Sequence, residues 1–270
     1  MKWLGRLVTL LLVVGLVALA YVMFIMPPND PDAFALARER EARLQAYRLH
    51  KPLPGTMANN GTLDVRLASA GFTLGQPIFM RVFKLTFELE VWMKRGDTYS
   101  LFATYPICYF SGQLGPKLRS FDRQTPEGVY LVAAKQLNPA SRWHRAFNLG
   151  FPNAYDRAQG RTGSYLMVHG GCSSIGCYAV TNPVADDLFR LATAAFAAGQ
   201  SSFQVQAFPF RMTADALAQR GTQANAPFWE DLKDISEAFE QSHRPPEVVV
   251  CDGRYRVANS PAAVGACRKL

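Results

Sequence analysis

Short runs of alternating apolar and polar residues, which begin near residue 77, limit the fold of this chain more than any other feature. Residues 78–83, 86–93 and 99–108 follow a period of two, the spacing of a strand that buries one face. Arg95-Gly96-Asp97 separates the last two runs and predicts a hairpin turn. We therefore predict a fold that is mainly β with a few helices. Further strands are predicted at residues 129–133, 166–168 and 202–208.

Helical patterns lie on both sides of this β region. Residues 33–50 have the pattern of a charged helix with apolar side chains near one face. Asn182-Pro183 indicates a capped helix start, and that helix should run to about residue 198. Residues 217–220 and 229–241 are also predicted to be helical. We divide the chain into a transmembrane anchor or signal peptide (1–27), a linker and helical extension (28–75), a main β domain (76–213) and a C-terminal helical and irregular extension (214–270).

Residues 7–26 form a stretch of twenty residues without a charge. That length crosses the core of a bilayer as a helix. Lys2 and Arg6 precede the stretch and two aspartates follow it, so the positive-inside rule leaves the N-terminus in the cytoplasm and the rest of the chain outside. A signal peptide cleaved after Ala20 is the alternative interpretation. Both interpretations place the main domain outside the cytoplasm.

The formal net charge of +8 favours an acidic partner. Lysine and arginine are spread along the chain without a consecutive block, so a solvated basic surface explains the charge better than a nucleic-acid footprint does. We therefore expect no nucleic-acid partner. A hydrophobic content of 49% also excludes disorder of the whole chain.

The chain has five cysteines, so at least one of them is unpaired. Cys251 and Cys267 close a short C-terminal loop and are candidates for a disulfide in an oxidising compartment. Cys172 has two candidate partners, Cys177 and Cys108, and either pairing would make this region structural or redox-regulated.

One segment combines the residue types of a cysteine acyl-transfer site. His169 ends a predicted strand, a loop rich in glycine and serine follows, and Gly176 and Cys177 precede the capped helix. An imidazole that takes the proton, nearby N–H groups and the following helix start would all favour a thiolate. The N–H groups of Gly176 and Cys177 are candidates for an oxyanion hole.

Spacing alone leaves a structural role for this segment open as well. A cluster of a buried cysteine and a hydrogen-bonded histidine, without any catalytic role, would have the same residues. His169, Cys172 and Cys177 lack the spacing of the usual zinc pairs and have no obvious fourth ligand, so we expect no metal. We also expect no cofactor, because the chain has no phosphate-binding glycine loop and no dinucleotide fingerprint.

The segment HGGCSSIGC at residues 169–177 resembles the signature of the L,D-transpeptidase catalytic domain (YkuD-like) family. The resemblance covers roughly residues 76–250 and is strongest with the YafK-type branch. It implies a β-sandwich for residues 76–213, with Cys177 as nucleophile, His169 as general base and the carbonyl of Gly170 orienting the imidazole. The likeness also includes residues 112–117, 125–128, 147–157, 208–213 and 229–233.

The resemblance also suggests residues that contact substrate. Ser174 is expected to hold the loop or to touch the substrate, and Tyr165 and Tyr178 are expected to line the cleft. Ile175 and Ala179 stand where most members carry a histidine and an arginine. Without that arginine, the contact with a carboxylate of the substrate is expected to come from one of four cations: Lys117, Arg81, Lys84 or Arg119.

The implied activity is acyl transfer on stem peptides of bacterial peptidoglycan through a Cys177 thioester. With water as acceptor the protein is an amidase, and with an amine it is a transpeptidase. The branch resemblance favours hydrolysis of the diaminopimelate–lysine amide that links a lipoprotein to peptidoglycan. Two alternatives are a non-catalytic peptidoglycan-binding module and an enzyme switched by a Cys172–Cys177 disulfide. The expected location is the periplasm or cell envelope, with the N-terminal helix in the inner membrane.

Overall fold

A computed structural model of the chain describes residues 3, 6, 9–17, 32–55, 61–258, 260, 261, 263 and 265–270. Residues 9–17 are helical, whereas residues 18–26 of the predicted membrane-spanning stretch lie outside the described residues. In the part of the chain that the structure describes, no helix has both the length and the apolar character needed to cross a membrane. The predicted transmembrane helix therefore has no support from the structure.

The chain alternates between strands and helices after residue 32. The helices are α1 (Ala33–Arg48), α2 (Leu63–Ser69), α3 (Ala154–Ala158), α4 (Asn182–Ala197), α5 (Ala214–Ala218) and α6 (Ala226–Ser242), with one 3-10 turn at Ala134–Gln136. The strands are β1 (Ile78–Phe83), β2 (Glu88–Arg95), β3 (Thr98–Pro106), β4 (Tyr109–Phe110), β5 (Gly128–Ala133), β6 (Leu137–Asn138), β7 (Ala146–Asn148), β8 (Met167–His169), β9 (Tyr178–Ala179), β10 (Ser202–Phe208), β11 (Val248–Cys251), β12 (Arg254–Val257) and β13 (Cys267–Lys269).

The larger strands form a five-stranded sheet in the order β3-β2-β1-β10-β5. The predicted hairpin between β2 and β3 is present, with Arg95 paired to Thr98 across Gly96 and Asp97. Gly96 has a φ of +60°, a left-handed conformation that glycine adopts without strain. Strand β1 pairs parallel with β10 and is buried at all its positions, because both faces of the sheet are covered.

A second five-stranded sheet, in the order β4-β9-β8-β7-β6, is built from short strands. Phe147 of β7 contacts Phe203 of β10 edge to face, with ring centroids 5.5 Å apart, so the two sheets share one apolar layer. Phe110 and Tyr178 lie in the same layer. This mixed, sheet-rich arrangement with a few helices agrees with the predicted fold class.

Both extensions pack into the core of the β domain. Leu36 of α1 and Trp229 of α6 belong to the same cluster of buried side chains as the strands. Arg43 of α1 donates a 3.0 Å hydrogen bond to the carbonyl oxygen of Ile107, and the Arg40 guanidinium lies 4.6 Å from the ring centre of Phe110. Residues 33–48 and 226–242 therefore complete the domain.

Helix α4 begins where the sequence predicts, but its cap differs. Thr181 is the residue that precedes the helix, and Asn182 is its first helical residue. The Asn182 side chain instead lies beside Gly170, where an added Cβ would be 2.6 Å from the Asn182 Oδ1 atom. The added Cβ would also lie 3.0 Å from the His144 Cβ and 3.2 Å from the Trp143 carbonyl oxygen, so the close packing of this loop favours glycine at position 170.

Candidate active site

Two neighbouring parallel strands bring His169 and Cys177 together. His169 ends β8 and pairs with Ala179 of β9, while Cys177 directly precedes β9. Successive side chains alternate between the faces of a sheet, and Val168 and Tyr178 point into the shared core. His169 and Cys177 therefore project from the opposite face as diagonal neighbours.

The carbonyl group of Gly170 determines which nitrogen of His169 carries the proton. The Nδ1 atom of His169 lies 2.6 Å from the Gly170 carbonyl oxygen. A carbonyl oxygen only accepts, so Nδ1 donates and Nε2 keeps a lone pair for a proton. Burial lowers the pKa of His169 from its ordinary value of 6.5, and the bond to Gly170 opposes this shift. The imidazole is therefore neutral near pH 7 and can act as a base.

Cys177 is the free cysteine, and its thiol is half-buried. Burial raises the pKa of Cys177 above its ordinary value, while the Met167 N–H group and the charge of Lys117 act in the opposite direction. The Met167 N–H group donates to the Cys177 sulfur at 3.3 Å. The resting site therefore pairs a thiol with a neutral imidazole, and the thiolate expected from the sequence does not predominate because burial outweighs these favourable contacts.

The main chain around Cys177 is held by serine hydroxyls. Ser174 Oγ donates to the Cys177 carbonyl oxygen and accepts from the Cys177 N–H, both at 2.7 Å. Ser174 thus holds the loop in the way that the sequence suggests. The Gly176 N–H donates to Ser111 Oγ at 2.6 Å. Both N–H groups predicted for an oxyanion hole already have hydroxyl partners, so an oxyanion would have to displace these contacts.

Two residues outside the strands, Ser111 after β4 and Thr125 before β5, support the same turn. Thr125 Oγ1 donates to the Cys177 carbonyl oxygen at 3.1 Å and accepts from the Ser111 N–H at 3.2 Å. Sequence reasoning missed Ser111 and Thr125 as supports of Cys177, because the segment that starts at Thr125 gave only a turn signal. The contact between residues 111 and 176 has no local sequence pattern.

Tyr178 and Arg81 do not line the site. Tyr178 is fully buried and donates to the carbonyl oxygen of Pro126 at 2.6 Å, because it follows Cys177 and so points to the opposite face. Arg81 is buried beneath α6, where it contacts Ser236 at 2.8 Å and Glu240 at 2.5 Å. Both predicted contacts are therefore wrong.

The remaining predicted contacts differ in their exposure. Lys84 is completely buried and forms a 2.9 Å ion pair with Glu127, so it is not available to a substrate. Lys117 is buried and forms a 2.5 Å ion pair with Asp122. Its charge acts to lower the pKa of Cys177. Arg119 is exposed, and Tyr165 is 72% exposed, with its carbonyl oxygen 3.6 Å from the Cys177 sulfur. The Nε2 atom of His144 lies 2.9 Å from the Oδ1 atom of Asp186.

The other four cysteines form two disulfides. Cys251 is bonded to Cys267, and Cys172 is bonded to Cys108. The second bond ties the loop between His169 and Cys177 to the segment before β4 and leaves Cys177 unpaired. Among the described residues, no group of three or more histidine, cysteine, aspartate or glutamate side chains is placed to hold a metal ion.

A cysteine thiol and an oriented imidazole on adjacent strands are the two groups that a cysteine acyl-transfer site requires. Comparison with known families shows the particular group. Residues 88–212 match the L,D-transpeptidase catalytic domain, YkuD. The chain belongs to this family and is an enzyme that acts on peptidoglycan.

A bacterial relative supports this assignment over most of the chain. The Escherichia coli (strain K12) protein named "Putative L,D-transpeptidase YafK" is 49% identical over 186 residues, which cover 68% of this chain and 75% of that protein. Two solved structures are more distantly similar. The cell shape determining protein Pgp2 from Campylobacter jejuni shares 17% identity at a TM-score of 0.40, over 73% of this chain and 85% of Pgp2. Bd1075 from Bdellovibrio bacteriovorus shares 20% identity at a TM-score of 0.36, over 50% of this chain and 48% of Bd1075.

Proposed function

We propose that this protein carries out cysteine-dependent acyl transfer on peptidoglycan stem peptides, with Cys177 as nucleophile and His169 as general base. The observation that carries the proposal is the bond from His169 Nδ1 to the Gly170 carbonyl oxygen, at 2.6 Å. It leaves Nε2 as the acceptor on a strand next to Cys177, the free cysteine of the chain. Gly170 is then a positioning residue for the imidazole.

The reaction has two halves. In the first, the Cys177 thiol passes its proton to His169 Nε2 as the sulfur attacks an amide carbonyl. The imidazolium gives that proton to the departing amine, and a thioester remains. In the second half, the neutral imidazole accepts a proton from water or from an amine as that group attacks the thioester, and it returns the proton to the departing Cys177 sulfur. A neutral resting pair suits this sequence, because the base is ready to accept before the first step.

The acceptor decides between two outcomes. Water makes the protein an amidase and a second amine makes it a transpeptidase. We favour hydrolysis of the diaminopimelate–lysine amide that joins a lipoprotein to peptidoglycan. This preference is supported by the resemblance to the YafK-type branch and by Ile175 and Ala179, which replace the histidine and arginine of most family members. Cross-link formation or protein attachment is the alternative.

We further propose a location in the periplasm or cell envelope, with residues 7–26 as an inner-membrane anchor. The support comes from the uncharged length of that stretch and from the basic residues before it.

The test is digestion of sacculi that carry covalently bound lipoprotein, followed by mass analysis of the muropeptides. The protein and its Cys177→Ala variant are compared under the same conditions. Loss of the lysine-linked remnant with the unchanged protein alone would establish a Cys177-dependent amidase. New diaminopimelate–diaminopimelate cross-links with the remnant retained would establish transpeptidation. Unchanged muropeptides with both proteins would favour a non-catalytic binding module.

A further inference from the structure

A cavity of about 290 Å³ lies beside the loop that joins His169 to Cys177. Its lining has three parts: residues 171–174 of that loop, Tyr109 of β4, and Leu44, Tyr47 and Arg48 near the end of α1. Helix α1 lies outside the part of the chain that matches the family, residues 88–212. The cavity is therefore built jointly by the matched family domain and by helix α1, which precedes it.

One lining residue of the cavity, Tyr109, lies on the face of the sheet that carries the proposed catalytic pair. Tyr109 pairs with Ala179, and Ala179 pairs with His169, so these three side chains form one row across the sheet. Ser174 lines the cavity and also contacts both the N–H and the carbonyl of Cys177. A group bound in the cavity could therefore contact Ser174, which itself contacts Cys177.

The charge of the cavity comes from Arg48. Its side chain is exposed and forms no ion pair or side-chain hydrogen bond with the described residues. Lys84, Lys117 and Arg81, in contrast, are all buried and paired with carboxylates. Arg43 anchors α1 by its bond to the Ile107 carbonyl oxygen, which fixes the main chain of the helix that ends at Arg48.

We propose that this cavity is a subsite for a carboxylate of the peptide whose amide carbonyl Cys177 attacks, with Arg48 as its cationic ligand. A guanidinium binds a carboxylate through two parallel N–H bonds, and the hydroxyls of Tyr47, Tyr109 and Ser173 offer further donors around it. The volume suits a group of the size of one amino acid. The proposal rests on the proposed function, because it assigns a binding group to the donor substrate of that reaction.

The test measures thioester formation by the full-length protein in single turnover, using intact-protein mass. Two donor peptides are compared: a stem peptide whose diaminopimelate is joined to lysine through the scissile amide and keeps its other carboxylate free, and the same peptide with that free diaminopimelate carboxylate converted to a carboxamide. For Arg48→Gln we expect acylation by the carboxylate peptide, below saturation, to slow about tenfold or more. Acylation by the carboxamide peptide should change by less than about twofold, which is within the range of a lost surface contact.

Two further variants make the result specific. Arg48→Lys keeps the charge and should recover part of the lost rate. Arg38→Gln removes another exposed arginine of the same helix, which does not line the cavity, and should leave both rates unchanged. The subsite would be overturned if Arg48→Gln slowed acylation by both peptides equally. It would also be overturned if the variant slowed only the later reaction of the thioester with its acceptor. An unchanged protein that forms no thioester with either peptide would overturn the proposed function, and the subsite with it.

Discussion

The side-chain hydroxyl of Thr125 donates a 3.1 Å hydrogen bond to the main-chain carbonyl oxygen of Cys177. The two residues are far apart in sequence, yet Thr125 and Ser174 hold the same carbonyl group from two sides. The position of the thiol therefore depends on a turn in another part of the domain. Because Thr125 is completely buried, water does not replace this hydroxyl when it is removed.

Replacement of Thr125 by valine should lower kcat about tenfold with a small change in KM. Valine keeps the shape of threonine but lacks the hydroxyl, so the Cys177 carbonyl loses one donor and the Ser111 N–H loses its acceptor. We expect a loss of about 1–3 kcal/mol of stability, measured by denaturant unfolding. Thr125→Ser retains the hydroxyl and should recover most of kcat. Equal kcat values for the two variants would contradict a positioning role.

The reactivity of Cys177 should follow the pH dependence of a buried thiol. Burial raises the pKa of Cys177 above its ordinary 9.0, so alkylation by iodoacetamide should increase with pH up to and beyond that value. A high and constant alkylation rate between about pH 5 and 8 would instead indicate a thiolate–imidazolium pair.

The acid limb of kcat/KM should report His169. Burial lowers the pKa of His169 below 6.5, so the imidazole stays unprotonated, and able to accept a proton, at pH values where an ordinary histidine is charged. Activity should therefore be retained at pH 6.5 and be half lost only below it. A midpoint above pH 6.5 would mean that another group, or a charged imidazole, controls the step.

The two disulfides should differ in their effect on activity. Cys108–Cys172 closes a loop with a sequence separation of 64, and Cys251–Cys267 one of 16, so loss of either bond should cost about 2–4 kcal/mol of stability. The double variant Cys108→Ala/Cys172→Ala should also lower kcat, because Cys172 lies in the loop between His169 and Cys177. The matched variant Cys251→Ala/Cys267→Ala should keep kcat per folded molecule. Equal kcat values in the two double variants would contradict this difference.

Lys84→Met should destabilise the fold by about 3–5 kcal/mol, because it leaves the Glu127 carboxylate buried without its cation. The Trp229 indole N–H and the Gly115 N–H would remain as the carboxylate's donors. Thermal unfolding of this variant is compared with Lys94→Met, which removes an exposed lysine and should change stability by less than about 0.5 kcal/mol. Similar stability of the two variants would show that the buried pair contributes little.

Local pattern was enough for the main elements of this fold. The strands predicted at residues 78–83 and 202–208 match the bounds of β1 and β10, and the glycine-containing turn predicted the β2–β3 hairpin. These features depend on neighbours in the chain, since strand alternation and turn conformation are properties of a few consecutive residues. The helix at 182–197 was predicted on the same grounds, although its cap was assigned to Asn182 in place of Thr181.

The site was predictable in part. The family signature located His169, Gly170 and Cys177, and the structure places the Gly170 carbonyl against His169 Nδ1. The signature did not show that Tyr178 faces the core, a consequence of the strand alternation that puts Cys177 on the other face. It also did not show that the N–H groups of Gly176 and Cys177 are bonded to hydroxyls.

The sequence by itself determined the class of fold, the candidate nucleophile and its base, because these follow from local periodicity and from one continuous motif. Only the tertiary structure decided which cations form buried ion pairs and which cysteine remains free. It also decided that α1 helps to line a cavity beside the loop before Cys177. Each of these outcomes depends on residues that are distant in sequence. The energies of these contacts depend on burial and on partners far away in the sequence, and a short stretch of chain contains neither.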